Sequence, residues 1–173
     1  MSLVRFWVFC CMKLGSHSYF LGTDHGDDTV VGNFSSIAGG TYIHGPDNHA
    51  CVLNHDLVSC FDFGDFGADF TKSGQARKTV TIGNDVWIGE HVQILSGVNI
   101  GDGVIVGAHT VVGKDVPPYA VIVGNPYKIV RYRFSPKIIE VLLRIKWWNW
   151  DDGVIRERLS NFRNIHDFVK QYG

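Results

Sequence analysis

Aliphatic residues in the second half of the chain recur every six positions: Ile82, Ile88, Ile94, Ile100, Val106 and Val112. Four positions after each of the first four stands a valine, at Val86, Val92, Val98 and Val104, and Thr110 and Val116 continue that series. Glycine follows the leading aliphatic at 83, 89, 101, 107 and 113. Neither the 3.6-residue period of an amphipathic helix nor the two-residue alternation of a half-buried strand describes this beat. Each hexad reads instead as a short strand and a corner, and three hexads make one turn of a coil with three flat faces. The leading aliphatics then stack inside the prism, while Gly, Asn or Asp at the corners tolerates the bend.

The same beat sounds earlier, in Val31, Ile37 and Ile43 of "VGNFSSIAGGTYI". Ile43 and Ile82 are 39 residues apart, which is not a multiple of six, so the spacing predicts an insertion over residues 48 to 79. A segment this long without regular structure is usually functional or disordered. Phe61, Phe63, Phe66 and Phe70 argue against simple disorder. Two uses remain open for them: lining a pocket for an apolar or aromatic acceptor, or pinning the segment to a neighbouring subunit. Beyond the coil, "KDVPPYAVIVGNP" ends the repeat with prolines that cannot donate to a ladder. A helical tail follows. Ser135 and Pro136 form a cap and first-turn pair for "PKIIEVLLRIKWW", Asp151 starts a second helix over "DGVIRERLSNF", and Asn164 caps a third, "IHDFVKQY". Trp147, Trp148 and Trp150 are expected to cover the open end of the coil, where strand edges and interior would otherwise be exposed.

Composition narrows the function without naming it. The chain has 173 residues with 45% apolar content, enough for one compact domain with a short appendage. Sixteen Lys and Arg against seventeen Asp and Glu leave a formal charge of −1, so there is no basic excess to draw nucleic acid or a membrane surface. Small-molecule partners are favoured. Of four cysteines, Cys10 and Cys11 are adjacent, and Cys51 and Cys60 lie near histidines rather than in a spaced framework. A reduced, cytoplasmic setting fits this usage. The opening "MSLVRFWVFCCMKLG" is a short apolar run, broken by Arg5 and lacking a small-residue cleavage site. It reads as a first strand or packing edge.

The run "TIGNDVWIGEHVQILSGVNIGDGVIVGAHTVVGKDVPPYAVIVGNPYKIVRYRF" resembles the hexapeptide-repeat acyltransferases. With "VGNFSSIAGG", "NHDLVSCFDF" and the tail "LLRIKWWNWDD", the chain is similar to their xenobiotic branch, which includes the type B chloramphenicol and the streptogramin acetyltransferases. The resemblance spans about residues 13 to 160. It implies a mainly β fold, a left-handed parallel β-helix over residues 1–134 with the insertion at 48–79, and a helical extension of the same domain over 135–173. Handedness comes from the family alone, since the general preference is for right-handed crossovers.

The implied activity is transfer of acetyl from acetyl-CoA to a hydroxyl or amine of a small molecule, in a homotrimer with the site between adjacent coils, with no metal required. In such enzymes a loop histidine takes the acceptor's proton, a task suited to an imidazole with a near-neutral pKa. His49 follows Asn48 and lies twelve after Ile37, matching the family motif. His55 is the runner-up, because "NHDLVSCFDF" also begins with "NH" and is nearer the aromatic segment. The family's Trp-Val-Ser-Thr is replaced by Leu57, Val58, Ser59 and Cys60. Asp56 is a candidate to orient the imidazole if the fold brings the two together, and Phe61 and Phe63 are candidates to meet the acceptor. Trp87 corresponds to the aromatic beside the acyl end, Ala108 and Gly113 to small residues whose backbone meets the pantetheine arm, and Lys114, Lys128 and Arg131 to cations for the nucleotide phosphates.

Other readings stay open. The acceptor is an antibiotic, a simple sugar, or a sugar of a surface polysaccharide or nucleotide sugar. His44 with His49, and His91 with His109 one full turn apart, offer nitrogen ligands in the manner of the metal-dependent γ-type carbonic anhydrases, which share the coil. A non-enzymatic scaffold and a covalent role for Cys51 complete the set.

Overall fold

A computed structural model describes residues 12–23, 29–44 and 79–173. Among these residues thirteen short strands form three sheets, here numbered one to three. Sheet one contains β1 (Lys13–Leu14), β3 (Thr29–Val31), β6 (Val80–Ile82) and β9 (Asn99–Ile100). Sheet two contains β2 (Tyr19–Phe20), β4 (Ser36–Ile37), β7 (Trp87–Ile88), β10 (Ile105–Val106), β12 (Ala120–Val123) and β13 (Lys128–Tyr132). Sheet three contains β5 (Tyr42–Ile43), β8 (Gln93–Ile94) and β11 (Val111–Val112). From β3 to β11 the chain visits the three sheets in strict rotation, and every pairing in the coil is parallel. Thr81 pairs with Asn99, Trp87 with Ile105 and Gln93 with Val111, all 18 residues apart, as three hexads per turn require.

The leading aliphatics are the core. Ile37, Ile43, Ile82, Ile88, Ile94, Ile100, Val106 and Val112 are all buried, stacked with the second series from Val80 to Val104. In the earlier coil the second series is polar: Thr29, Ser35 and Thr41 replace valine and are fully buried. Ser35 Oγ donates to Gly83 O at 2.8 Å and accepts from Val86 N, and Thr41 Oγ1 donates to Gly89 O, so these hydroxyls are satisfied by the coil above.

The insertion adds to one corner without disturbing this stack. Ser36 pairs with Trp87 and Tyr42 with Gln93, 51 residues apart against the 18 of later coils, so 33 residues are added between β5 and β6 while the register holds. Residues 45–78 lie outside those described, and with them His49, Cys51, His55, Asp56, Cys60, Phe61, Phe63, Phe66 and Phe70.

The corner between sheets one and two shows why "GN" and "GD" recur. Asn33 Oδ1 accepts from Ser16 N, Asn84 Oδ1 from Asn33 N and Asp102 Oδ1 from Asn84 N, at 2.7–2.8 Å, each side chain bonding to the backbone of the preceding coil. A Cβ on Gly32 would lie 2.6 Å from Asn84 Oδ1, so this ladder needs the bare glycine. Next to it stands a column of residues with left-handed backbone: His17, Phe34, Asp85, Gly103 and Tyr119, each three places after the end of its sheet-one segment. Non-glycine residues reach this conformation at a cost of about 1–2 kcal/mol. Ring stacking offsets it, with His17 and Phe34 centroids 4.7 Å apart, while the Tyr119 ring fills the space where Gly103 would carry a Cβ.

This aromatic column receives the tail. The repeat ends at the antiparallel pair β12–β13, and helices α1 (Pro136–Ile145), α2 (Asp152–Glu157) and α3 (Ile165–Tyr172) follow. Pro136 stands in the first turn of α1 and the Asn164 side chain accepts from His166 N and Asp167 N, both as expected, but Ser135, though at the cap position, makes no side-chain cap hydrogen bond. The second expected helix is shorter, because a 3₁₀ segment (Leu159–Arg163) takes its latter half. The tryptophans require a correction. Trp147 packs on Phe34 at 5.0 Å, Asn33 Nδ2 donates to Trp148 O at 3.1 Å, and His17 Nε2 pairs with Asp152 at 2.8 Å. These partners belong to successive coils, so the tail lies along the side of the prism, against a corner, rather than across its end. Trp150 packs among Phe162, Phe168 and Tyr172 in the tail's own core, which includes Tyr119 and Leu142.

Arg133 fastens the junction. Its Nη1 donates to Asp85 Oδ2 and to Gly103 O, both at 2.8 Å, and its guanidinium lies over the Tyr119 and Phe134 rings. Burial pushes the Asp85 carboxyl above the ordinary carboxylate value, outweighing the pull of Arg133.

Ile94→Ala should lose about 3–4 kcal/mol in denaturant unfolding, and Gly103→Ala, at φ +69° and against the Tyr119 ring, about 3 kcal/mol. The native Asp85 carboxyl holds its proton more tightly than the unfolded chain, so its stabilising contribution is present in acid and is lost as pH rises through the raised native pKa. Relative to Asp85→Asn, the wild-type melting temperature should therefore fall as pH rises from 3.8 upward; parallel melting curves of the two proteins against pH check this.

Candidate acyl-transfer site

On β7 the strand alternation sends Ile88 inward and Trp87 out, where it remains 49% exposed. Trp87 stands in one row of sheet two with Ser36, Ile105, Val121 and Arg131. Three strand spacings separate Trp87 from Arg131, about 14 Å at 4.7–4.9 Å each. The two residues therefore share a face without touching, a separation suited to opposite ends of an extended ligand.

The other candidates gather where sheet three ends. Among the described residues, β11 has β8 on one side and no further sheet-three strand on the other. The turn after β12 closes part of that edge: Val111 N donates to Gly124 O, Tyr127 N to Val111 O, and Gly124 N to Thr110 Oγ1. What stays open lies at the ends of β11. Ala108 precedes the strand and Gly113 follows it, both exposed, and the amide of each makes no hydrogen bond among the described residues. Gly89 permits the close stacking here, since a Cβ on it would lie 2.8 Å from Ala108 N. Lys114 comes next, its Nζ 5.4 Å from the centroid of the Tyr127 ring, and Lys128 follows Tyr127 directly on the wholly exposed β13. Tyr127 itself is anchored by its hydroxyl donating to Asp115 O at 2.6 Å.

The described residues thus bring Ala108, Gly113, Lys114 and Lys128 to one edge, with Arg131 further along β13 and Trp87 on the adjoining face. Exposed small residues with unpaired amides can hydrogen-bond a polar chain, and flanking cations can meet phosphate. The residues present fit a long, phosphorylated thioester donor.

Several further residues lie nearby. His91 and His109, candidate nitrogen ligands by their spacing, stack with centroids 5.1 Å apart and form a left-handed column over Gly40, beside Ala108. Their eighteen-residue spacing was the signal. His44 bonds Gln93 Oε1 through Nε2 at 2.9 Å. Among the described residues no three His, Cys, Asp or Glu side chains converge to hold a metal ion. Arg133 lies just past the end of β13 and is half-buried, whereas Arg131 on that strand is exposed, a difference that strand alternation does not give because residues two apart share a face.

Comparison with known proteins agrees with the repeat. Residues 79–114 match the family model described as bacterial transferase hexapeptide (six repeats). The chain is 39% identical over 142 residues to a probable macrolide acetyltransferase of Lysinibacillus sphaericus, covering 78% of this chain and 77% of the relative. It is 32% identical over 190 aligned residues to a chloramphenicol acetyltransferase of Morganella morganii, covering 93% and 89%. Among solved structures, a hexapeptide-repeat acetyltransferase of Vibrio cholerae complexed with acetyl coenzyme A superposes with a TM-score of 0.54 at 26% identity, covering 73% of this chain and 62% of that one. A galactoside acetyltransferase in complex with coenzyme A gives a TM-score of 0.51 at 27% identity, covering 82% and 60%. The chain thus spans about three fifths of these two solved chains. A rotation of three parallel sheets, an eighteen-residue register and relatives matched over most of their length converge on one conclusion: the chain belongs to the hexapeptide-repeat acetyltransferases, in their xenobiotic acetyltransferase branch.

Proposed function

We propose that this protein transfers acetyl from acetyl-CoA to a hydroxyl or amine of a small-molecule acceptor, by direct attack with His49 as general base. The observation that carries this reading is the open end of β11, where the unpaired amides of Ala108 and Gly113 lie beside Lys114 and Lys128. Bound acetyl-CoA supplies a thioester whose carbonyl the acceptor attacks. The amides of Ala108 and Gly113 hold the pantetheine arm. Lys114, Lys128 and Arg131 meet the phosphates, and Trp87 flanks the acyl end. His49 takes the proton from the attacking hydroxyl or amine, with Asp56 orienting the imidazole and Phe61 and Phe63 holding the acceptor. These four residues lie outside the described part of the chain; the family motif supports the role of His49, the triad pattern that of Asp56, and aromatic content that of Phe61 and Phe63. The same reading includes a left-handed coil over 1–134 with the insertion at 48–79, the extension over 135–173, a homotrimer that completes each site, a cytoplasmic location and no metal requirement. No helix among the described residues is long and apolar enough to cross a membrane.

Likeness to chloramphenicol and macrolide acetyltransferases favours an antibiotic acceptor. Likeness to a galactoside acetyltransferase supports a sugar, including one in a surface polysaccharide or nucleotide sugar, as the second choice. Release of free thiol from acetyl-CoA, measured across chloramphenicol, macrolides, group A streptogramins, simple glycosides and nucleotide-linked amino sugars, decides between them. With the best acceptor, His49→Ala should lower kcat by about two orders of magnitude or more while leaving coenzyme A binding nearly intact. Retention of activity in His49→Ala with its loss in His55→Ala would transfer the role to His55. Gly113→Val should raise the KM for acetyl-CoA about tenfold with kcat nearly unchanged, as expected when binding common to ground and transition states is removed.

A further inference from the structure

Two places after the inward residue of each sheet-two strand from β2 to β12 the chain sets a corner residue: Gly22, Gly39, Glu90, Ala108 and Gly124 in turn. All but one are small. Glu90 alone carries a charge, it is exposed, and its carboxylate makes no hydrogen bond or ion pair among the described residues. The backbone fixes where it stands. His109 N donates to Glu90 O at 2.9 Å and His91 N to Gly39 O at 3.1 Å, so Glu90 lies one strand spacing, about 4.8 Å, beneath Ala108 and the same distance above Gly39.

This position falls within the proposed acyl-transfer site, and the inference rests on that reading. A donor held by the Ala108 amide and reaching Trp87 with its acyl end descends one coil, and Glu90 is the corner residue of that lower coil, three places after Trp87. With the donor above, the acceptor must come from below. There the corner is bare, since a Cβ on Gly39 would meet nothing nearer than Leu21 O at 3.8 Å. Trp87 bounds this shelf at one side, and the exposed Leu21 bounds it below.

The charge on Glu90 restricts what can use the shelf. As the acceptor's oxygen bonds to the acetyl carbon, its proton passes to the base, the C–S bond breaks and the sulfur leaves with that proton as the free thiol. Negative charge gathers on the acetyl oxygen during this step. A fixed carboxylate close by opposes that charge, whereas an acceptor that brings its own cation to the carboxylate removes the opposition and gains a charge-assisted contact. We propose that Glu90 selects the acceptor: a hydroxyl compound with a separate ammonium group, as on an amino sugar, seated over Gly39 with its cation at the Glu90 carboxylate.

The test is free-thiol release from saturating acetyl-CoA with two acceptors, a macrolide bearing a dimethylamino sugar and 2-(dimethylamino)ethyl galactoside, each compared at neutral pH with its uncharged N-oxide. For the acceptor that is used, wild-type kcat/KM should favour the cationic form about tenfold. Glu90→Gln should remove most of that preference and Glu90→Asp should keep it, and in the wild type it should shrink as salt is raised from about 0.05 to 0.5 M. A merely structural role for Glu90 would not move this ratio. Calorimetric binding of coenzyme A reports separately on the donor, and circular dichroism melts confirm that each variant folds. A wild-type preference for the N-oxide, or a cationic preference that Glu90→Gln leaves intact, would overturn selection by Glu90 while the acyl-transfer reading stands. Failure of the wild type to bind coenzyme A, or to release thiol with either acceptor or with any other tried for the proposed activity, would overturn both.

Discussion

The structure rests on register: each inward aliphatic must sit on the one a full turn earlier. Where that holds, a strand donates its amides to the coil above, as Trp87 N does to Val104 O and Gly89 N to Val106 O, and the isoleucine and valine columns exclude water. A slip of one residue would turn the whole inward set to solvent, so the hydrophobic pattern itself enforces the pairing. This explains how the chain tolerates a 33-residue addition. The extra residues leave from the corner between sheets three and one, and Ser36 still meets Trp87 as though nothing intervened.

Once the interior is fixed, the corners differentiate the outside. At the corner between sheets one and two the left-handed column presents His17, Phe34 and Tyr119, and the tail settles on it through Trp147, Asp152 and Arg133. The tail therefore acts as a lateral buttress. At the corner between sheets two and three the equivalent column is His91 and His109, and Ala108 beside them remains open. Two corners of one repeat thus serve different purposes, one for packing and one for access to backbone amides.

Much of this was legible in the sequence. The six-residue beat from Ile82 to Val112 predicted the three-sheet rotation, and the break between Ile43 and Ile82 located the insertion. Pro136 in a first turn and the Asn164 cap mark two helix starts. The docking of the tail was not legible, because tryptophans that cover a lateral corner have the same composition as tryptophans that cover an end. The Arg133–Asp85 contact was hidden for a related reason: the residues are 48 apart, and only the folded coil brings the third residue after Ile82 beneath β13. Of the expected donor-binding residues, Ala108, Gly113, Lys114 and Lys128 come to one edge, since the repeat dictates where β11 ends. The residues expected to meet the acceptor fall in the insertion, where no repeat constrains position and the sequence offers a motif alone.

The central claim is that the exposed end of β11 holds the donor. A crystal structure of the protein grown with coenzyme A tests it most directly. The account predicts the pantetheine arm hydrogen-bonded to the amides of Ala108 and Gly113, with phosphates near Lys114 and Lys128. Coenzyme bound on another face, with both amides left unpaired, would contradict it.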